Sequence, residues 1–324
     1  MAEAARPVRV EVVGEVVVDL VAGSDGRLTP VPGGSPANVA LALARADVPV
    51  ALRARFGTDA LARRCREHLE ANGVDLALAV AATQPATLAL ATVGDDGSAS
   101  YDFWVTGTAD WQWSDAELAD CPAPGTAALH TGSLASWLAP GRDVLLGLVR
   151  RARAADEVTV SYDPNVRAAL MGEPARARQV VEAYIGASHV VKASDEDVAW
   201  LYDDADPATV RTRWHSLGAR LVVITSGGEG LRASTSTGLD VAVAAPRVDV
   251  VDTVGAGDTV SGALLTALGD HGALGDRPAA RLDALDAATL REVLAWAAAS
   301  AAITCSREGA QPPSRAEVSA LLAG

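Results

Sequence analysis

Apolar residues in this chain fall into short β-branched runs separated by longer stretches with helical spacing. Arg9-Val-Glu-Val-Val-Gly-Glu-Val-Val-Val-Asp19 predicts a central strand that ends at a polar Asp19. Residues 50–56 predict another strand. An amphipathic helix over 60–72 follows and stops at Asn72-Gly73. From Ala127 the two patterns alternate: strand 127–132, helix 141–154, strand 158–162, strand 188–192 and strand 221–225. That alternation predicts right-handed βαβ units in a mostly parallel sheet. Residues 86–93 and 98–105 instead alternate about Gly94-Asp95-Asp96-Gly97, which predicts a hairpin. With residues 16–31 it would make a small separate sheet.

At 324 residues, 49% hydrophobic and 21% charged, the chain has room for one large α/β domain with an appendage. A net charge of −14 disfavours a nucleic-acid or anionic-membrane partner, either of which would need a basic face. Cys65, Cys121 and Cys305 are odd in number and widely spaced, so a reducing cytoplasm is expected rather than a disulfide framework. No uncharged apolar run reaches the ~18 residues of a membrane span.

The chemistry concentrates in Val248-Asp-Val-Val-Asp252-Thr-Val-Gly255-Ala256-Gly257-Asp258. Its β-branched start predicts a buried strand. The glycine turn leads into a helix over 258–268. Amides at such a turn and the helix dipole favour an anion. A carboxylate placed among them would repel a phosphate, unless it takes the proton from a hydroxyl attacking that phosphate. Asp258 is therefore either a helix cap or a base. A dinucleotide loop would need a third glycine where Val260 stands, and a Walker loop would need Gly-Lys-Ser/Thr.

Asp252-Thr-Val-Gly-Ala-Gly-Asp258 resembles the C-terminal signature of the ribokinase-like (PfkB) carbohydrate kinases, whose last Asp is the catalytic base. Gly33-Gly34-Ser-Pro-Ala-Asn38 resembles the family's N-terminal Gly-Gly-x-x-x-Asn block, in the form most like the fructokinase branch. Asp163-Pro-Asn-Val-Arg167 and Thr225-Ser-Gly227-Gly-Glu-Gly230 follow in family order. Lys192-Ala-Ser194-Asp-Glu-Asp197 stands for Lys-x-Asn-x-x-Glu, with Ser for Asn and the shorter Asp for Glu.

The resemblance covers essentially all of residues 1–324. It implies a single ribokinase-like domain: a three-layer α/β sandwich with a mostly parallel central sheet flanked by helices. A small β-sheet lid would come from about residues 14–32 and 84–108. The implied activity is ATP-dependent transfer of a γ-phosphate to a primary hydroxyl of a monosaccharide, fructose first. 2-Keto-3-deoxygluconate or another ketose or ribose stays open, as does a catalytically silent sugar-binding regulator. Asp258 would be the base, with the amides of Gly255, Ala256 and Gly257 around the charge. Asp19, Gly33, Gly34, Asn38 and Arg167 would meet the sugar; Asp19 also has a plain reading as a turn residue and Asn38 as a surface one. Tyr101, Phe103 and Trp104 are candidate sugar-wall aromatics.

Lys192, Ser194, Thr225, Gly227, Gly230, Gly255 and Gly257 would lie along the nucleotide, and residues 270–286 would border its adenine. Ser194 with Asp197 also reads as a near capping box, and the glycines as a hairpin. Mg²⁺ is implied with ATP, and Asp197 would act on it indirectly. Potassium or another monovalent cation is implied at Asp252, Val254, Thr304, Arg307 and Gly309. A homodimer through the lid is implied by the same resemblance.

Overall fold

The computed structural model describes residues 8–22, 26–93, 99–203 and 205–323, without the side chains of 91–93 and 99–101. The chain enters through β1 (Arg9–Val13), then β2 (Val17–Ala22), β3 (Leu28–Gly33) and α1 (Ser35–Arg45). β4 (Val50–Arg53), β5 (Arg55–Phe56), α2 (Ala60–Ala71) and β6 (Val80–Ala81) lead to β7 (Thr87–Val93) and β8 (Ala99–Trp104). The middle third holds β9 (Thr126–Gly132), α3 (Gly141–Ala155), β10 (Thr159–Asp163), α4 (Ala168–Met171), α5 (Pro174–Gly186) and β11 (Val190–Ser194). Next come α6 (Asp195–Tyr202), α7 (Pro207–Leu217), β12 (Leu221–Thr225), β13 (Leu231–Thr235) and β14 (Asp240–Val243). The chain closes with α8 (Ala256–Asp270), α9 (Pro278–Asp283), α10 (Ala287–Cys305) and α11 (Arg315–Ala323).

Eight strands form the main sheet in the order β14-β13-β12-β11-β10-β9-β1-β4. β4 to β12 run parallel through β1, β9, β10 and β11; β13 and β14 are antiparallel additions at one edge. Strands covered on both faces need continuous apolar sequence, and Leu221-Val-Val-Ile224 supplies it. One core layer lies with α1, α8 and α10, the other with α3, α5, α6 and α7. α8 is buried without interruption from Asp258 to Leu268. A helix with no polar face of its own must be enclosed, and α1 and α10 enclose it.

A second sheet of four strands, β3-β2-β7-β8, stands apart from the first. β7 and β8 pair antiparallel, as the hairpin pattern predicts; the turn at residues 94–98 lies outside the described residues.

Two expectations are corrected. The single strand expected over 9–19 breaks at Gly14, where β1 leaves the main sheet and β2 begins in the small one. A Cβ on Gly14 would strike the Pro36 ring, so the bend needs glycine there. The buried strand expected at 248–251 does not form, and Val250 and Val251 are 66% and 63% exposed. The N–H groups of Val251 and Asp252 both reach the carbonyl of Cys305 at the end of α10 (2.8 and 3.2 Å), a loop-to-helix contact rather than a ladder. β-Branched residues fit a strand but do not supply a neighbouring one.

α1 and α8 touch where a Cβ on Gly262 would lie 2.7 Å from Ala42 Cβ and 3.2 Å from the Val39 carbonyl oxygen. Gly262→Val should therefore cost about 1–3 kcal/mol by overpacking, read as a lower urea midpoint. An unchanged midpoint would mean that the two helices can part without cost.

Candidate functional site

The strand order reverses at the β1/β9 pair, with β4 on one side and β10 on the other. Such a reversal leaves a crevice at the carboxyl ends of parallel strands. A cavity of about 450 Å³ lies there. Glu15 follows β1, Ser133 and Leu134 follow β9, Asn165 and Arg167 follow β10, and Glu196 follows β11. The small sheet adds Val17, Asp19 and Phe103. The start of α1 adds Gly34, Ser35 and Asn38, and the start of α8 adds Thr253, Val254, Gly255, Gly257 and Asp258.

Asp258 is only 8% exposed, yet it forms part of the cavity wall. Ser35 Oγ donates to its Oδ1 (2.6 Å) and Asn38 Nδ2 to its Oδ2 (2.8 Å). Burial pushes its pKa above the usual carboxylate range; Ser35, Asn38 and the Lys192 ammonium pull it back only in part. α1 reaches this position because Gly34 has φ 98° and stands where a Cβ would be 2.8 Å from the Glu15 carbonyl oxygen. Asp19 is carried in by β2, with its carboxylate where a Cβ on Gly33 would be. Burial lifts its pKa to about 6; Arg167 opposes the rise and Asp258 adds to it.

α8 has no side-chain cap at Gly255, which itself has φ 75°. Among the described residues the N–H groups of Gly255, Gly257 and Asp258 have no protein acceptor. Ala256, expected in the same cradle, is corrected: its N–H goes to the Thr253 carbonyl (3.2 Å) and closes the turn. Unspent amides at the start of a 15-residue helix fit a polyphosphate.

The other expected residues divide. Arg167 lines the cavity and folds back onto Asn165 Oδ1 (2.7 Å). Phe103 also lines it. Trp104 does not: successive strand residues face opposite ways, and Trp104 is 52% exposed. The side chain of Tyr101 lies outside the described residues. Lys192, Ser194, Thr225, Gly227 and Gly230 lie off the cavity wall. Gly230 has a packing reason of its own, since a Cβ there would be 2.7 Å from the Ala245 nitrogen.

Ser194 and Asp197 form a full capping box. Asp197 spends Oδ1 on the Val166 N–H (2.8 Å) and Oδ2 on the Ser194 N–H (2.9 Å). Its oxygens thus fit magnesium only through water. Glu196 stands exposed at the cavity with its carboxylate unspent among the described residues.

Asp252 accepts the N–H groups of Val254 (3.0 Å) and Gly309 (2.8 Å), so the two loops expected around a monovalent cation do meet. The Thr304 hydroxyl is fully buried between Thr259 (3.0 Å) and the Ser300 carbonyl (3.1 Å), so a cation here would meet main-chain carbonyls. Arg307 turns away to Glu317.

Sequence reasoning missed Glu15, Ser35 and Glu196. Ser35 is inside the Gly33–Asn38 block, and Glu15 interrupts a β-branched run beside Gly14. Glu15 is buried, accepts the Ala135 N–H (3.0 Å), and bonds the Ser133 side chain.

The model of the pfkB family carbohydrate kinases matches residues 8–317. A fructokinase of Rhizobium leguminosarum bv. trifolii is 33% identical over 275 residues, 83% of this chain and 82% of that protein. A solved fructokinase of Xylella fastidiosa with bound ATP superposes with a TM-score of 0.89 at 26% identity, covering 97% of this chain and 98% of its own. A fructokinase double mutant of Vibrio cholerae O395, bound to fructose, ADP and potassium ion, gives a TM-score of 0.84 at 26% identity, covering 99% and 100%.

Burial lifts the Glu15 pKa from 4.5 to about 7, against the bonds from Ser133 and Ala135 and with Asp110 adding to the rise. The unfolded chain ionises this group near 4.5, while the folded chain keeps the proton to about 7. Its contribution is therefore full below 4.5 and is lost as pH rises through 7. Relative to Glu15→Gln, the wild type should lose ~3 kcal/mol across that window, measured by urea unfolding at successive pH values. Parallel profiles would place the carboxyl in contact with water.

Proposed function

The chain belongs to the pfkB family of carbohydrate kinases, and we propose that it is an ATP-dependent fructokinase with Asp258 as its base. The observation that carries this reading is the Asp258 carboxylate: two hydrogen bonds from α1 aim it at the cavity, beside unspent amides. Each oxygen accepts one bond and keeps a second lone pair, so the carboxylate can take a proton from a primary hydroxyl in the cavity. A raised proton affinity suits that task better than an ordinary carboxylate. The fructose-bound Vibrio cholerae relative supports the choice of sugar.

Asp19, Asn38 and Arg167 would hold the sugar's other hydroxyls, and Phe103 would face its apolar side. Gly255, Gly257 and the Asp258 amide would take the charge that gathers on the transferred phosphoryl group. Lys192, Ser194, Thr225, Gly227 and Gly230 would lie on the nucleotide side, behind that turn. Magnesium would neutralise the triphosphate, with Glu196 and, through water, Asp197 facing it. A potassium ion would steady the loops that Asp252 joins, as the potassium-bound relative suggests.

The small sheet would act as a lid that keeps water from competing with the sugar. Val21 and Val31 share the Asp19 face of that sheet and are 45% and 36% exposed, which suits a contact between two lids. The unpaired cysteines suit a cytoplasmic setting.

Coupled ADP release over a panel of fructose, ribose, glucose and 2-keto-3-deoxygluconate should favour fructose. Asp258→Asn should retain fructose binding by calorimetry and lose about 10²–10⁴-fold in turnover. Undiminished turnover would remove Asp258 as the base, and a flat sugar panel would favour the silent regulator.

A further inference from the structure

Behind the amide turn lies a buried polar row on one face of the main sheet. Asp163 ends β10 and pairs in register with Gly132 of β9; Lys192 is the next residue across on β11. Lys192 Nζ donates to Asp163 Oδ2 (2.9 Å), and Ser261 Oγ of α8 donates to the same oxygen (3.1 Å). Asp163 Oδ1 takes the Asn165 N–H (3.0 Å), which fixes the carboxylate from its other side. Both members of the ion pair are buried.

Asp163 is the only hydrogen-bond partner of the ammonium among the described residues, which leaves two of its three protons to point elsewhere. They have one notable neighbour. A Cβ built on Gly257 would lie 2.9 Å from Lys192 Nζ, so the ammonium sits directly beneath the amide turn. Glycine at 257 thus leaves room for a cation as well as for a ligand's approach.

We propose that Asp163, with Ser261, is a positioning residue that holds the Lys192 ammonium under the Gly257 turn as a fixed positive charge facing the transferred phosphoryl group. This deepens the kinase reading above and rests on it. A surface lysine would be screened and mobile; a buried one clamped between β10 and α8 is neither. Burial opposes its charge, but Asp163, and at longer range Asp197 and Asp258, outweigh that and hold its pKa above the ordinary lysine value. The charged and titratable groups facing it are Asp163 of β10, Asp197 of α6, Asp258 of α8 and His130 of β9. Burial keeps His130 neutral, with its pKa near 4.

The test uses the full chain and the variants Asp163→Asn, Lys192→Met, the double variant and Ser261→Ala. Asp163→Asn and Lys192→Met should each lower kcat about 10²-fold with little change in the fructose KM. The double variant should be no worse than Lys192→Met alone, because Asp163 acts through that ammonium. Lys192→Met should also move the acid limb of kcat/KM to higher pH, since the charge favouring the Asp258 carboxylate is gone.

Ser261→Ala, the mildest change, should cost a few-fold and covers the case in which Asp163→Asn does not fold. Multiplicative losses in the double variant, an unmoved acid limb, or wild-type kcat in folded Asp163→Asn would each overturn the proposal. Titration with ADP separates it from the kinase reading. If the wild type phosphorylates no sugar but Lys192→Met still binds ADP several-fold more weakly, the kinase reading fails and the placed charge stands. If ADP binding is unchanged as well, both fail.

Discussion

The site depends on one carboxylate bonded across more than two hundred residues of chain. Ser35 and Asn38 on α1 hold both oxygens of Asp258 on α8. That contact requires α1 and α8 to pack closely, which Gly262 allows, and requires α1 to begin at a glycine pressed against the Glu15 carbonyl. The first block of the sequence and the last are thus parts of one device. Neither could aim the carboxylate by itself.

Burial makes this arrangement costly in charge. Glu15, Asp19 and Asp258 line one cavity, and all three are driven toward higher pKa by loss of water. Carboxylates crowded in that way favour hydroxyl-bearing ligands, which can both donate and accept. The opposite side has a different character. There the wall is main-chain N–H groups, with Lys192 behind them and Asp163 behind Lys192. An acidic chain can therefore present a locally anion-accepting surface without a single exposed basic residue on the amide turn. The reversal of strand order at β1/β9 opens the crevice, and the start of α8 supplies its amide side.

The capping box at Ser194 and Asp197 shows how a motif can carry two meanings. Its carboxylate is consumed by the Ser194 and Val166 N–H groups, while the neighbouring Glu196 remains available at the cavity. A one-residue offset between motif and free group is invisible in a pattern of letters. It is set by which way the first turn of α6 faces.

Local chemistry in the sequence was enough for the parallel sheet, the separate hairpin and the Gly255–Asp258 turn. Leu221-Val-Val-Ile224 can only be a covered strand, alternation around 94–97 requires antiparallel neighbours, and Gly-Ala-Gly-Asp before an apolar helix leaves few other structures. The same local reasoning misread 248–251, where β-branched residues had no strand to join, and overlooked the break at Gly14. Ser35 as a partner of Asp258, Glu15 in the cavity wall and the Asp163–Lys192–Ser261 group became visible only in three dimensions. Each joins residues that are close in space but far apart along the chain, and residue order alone does not say which distant side chains will share a dry interior.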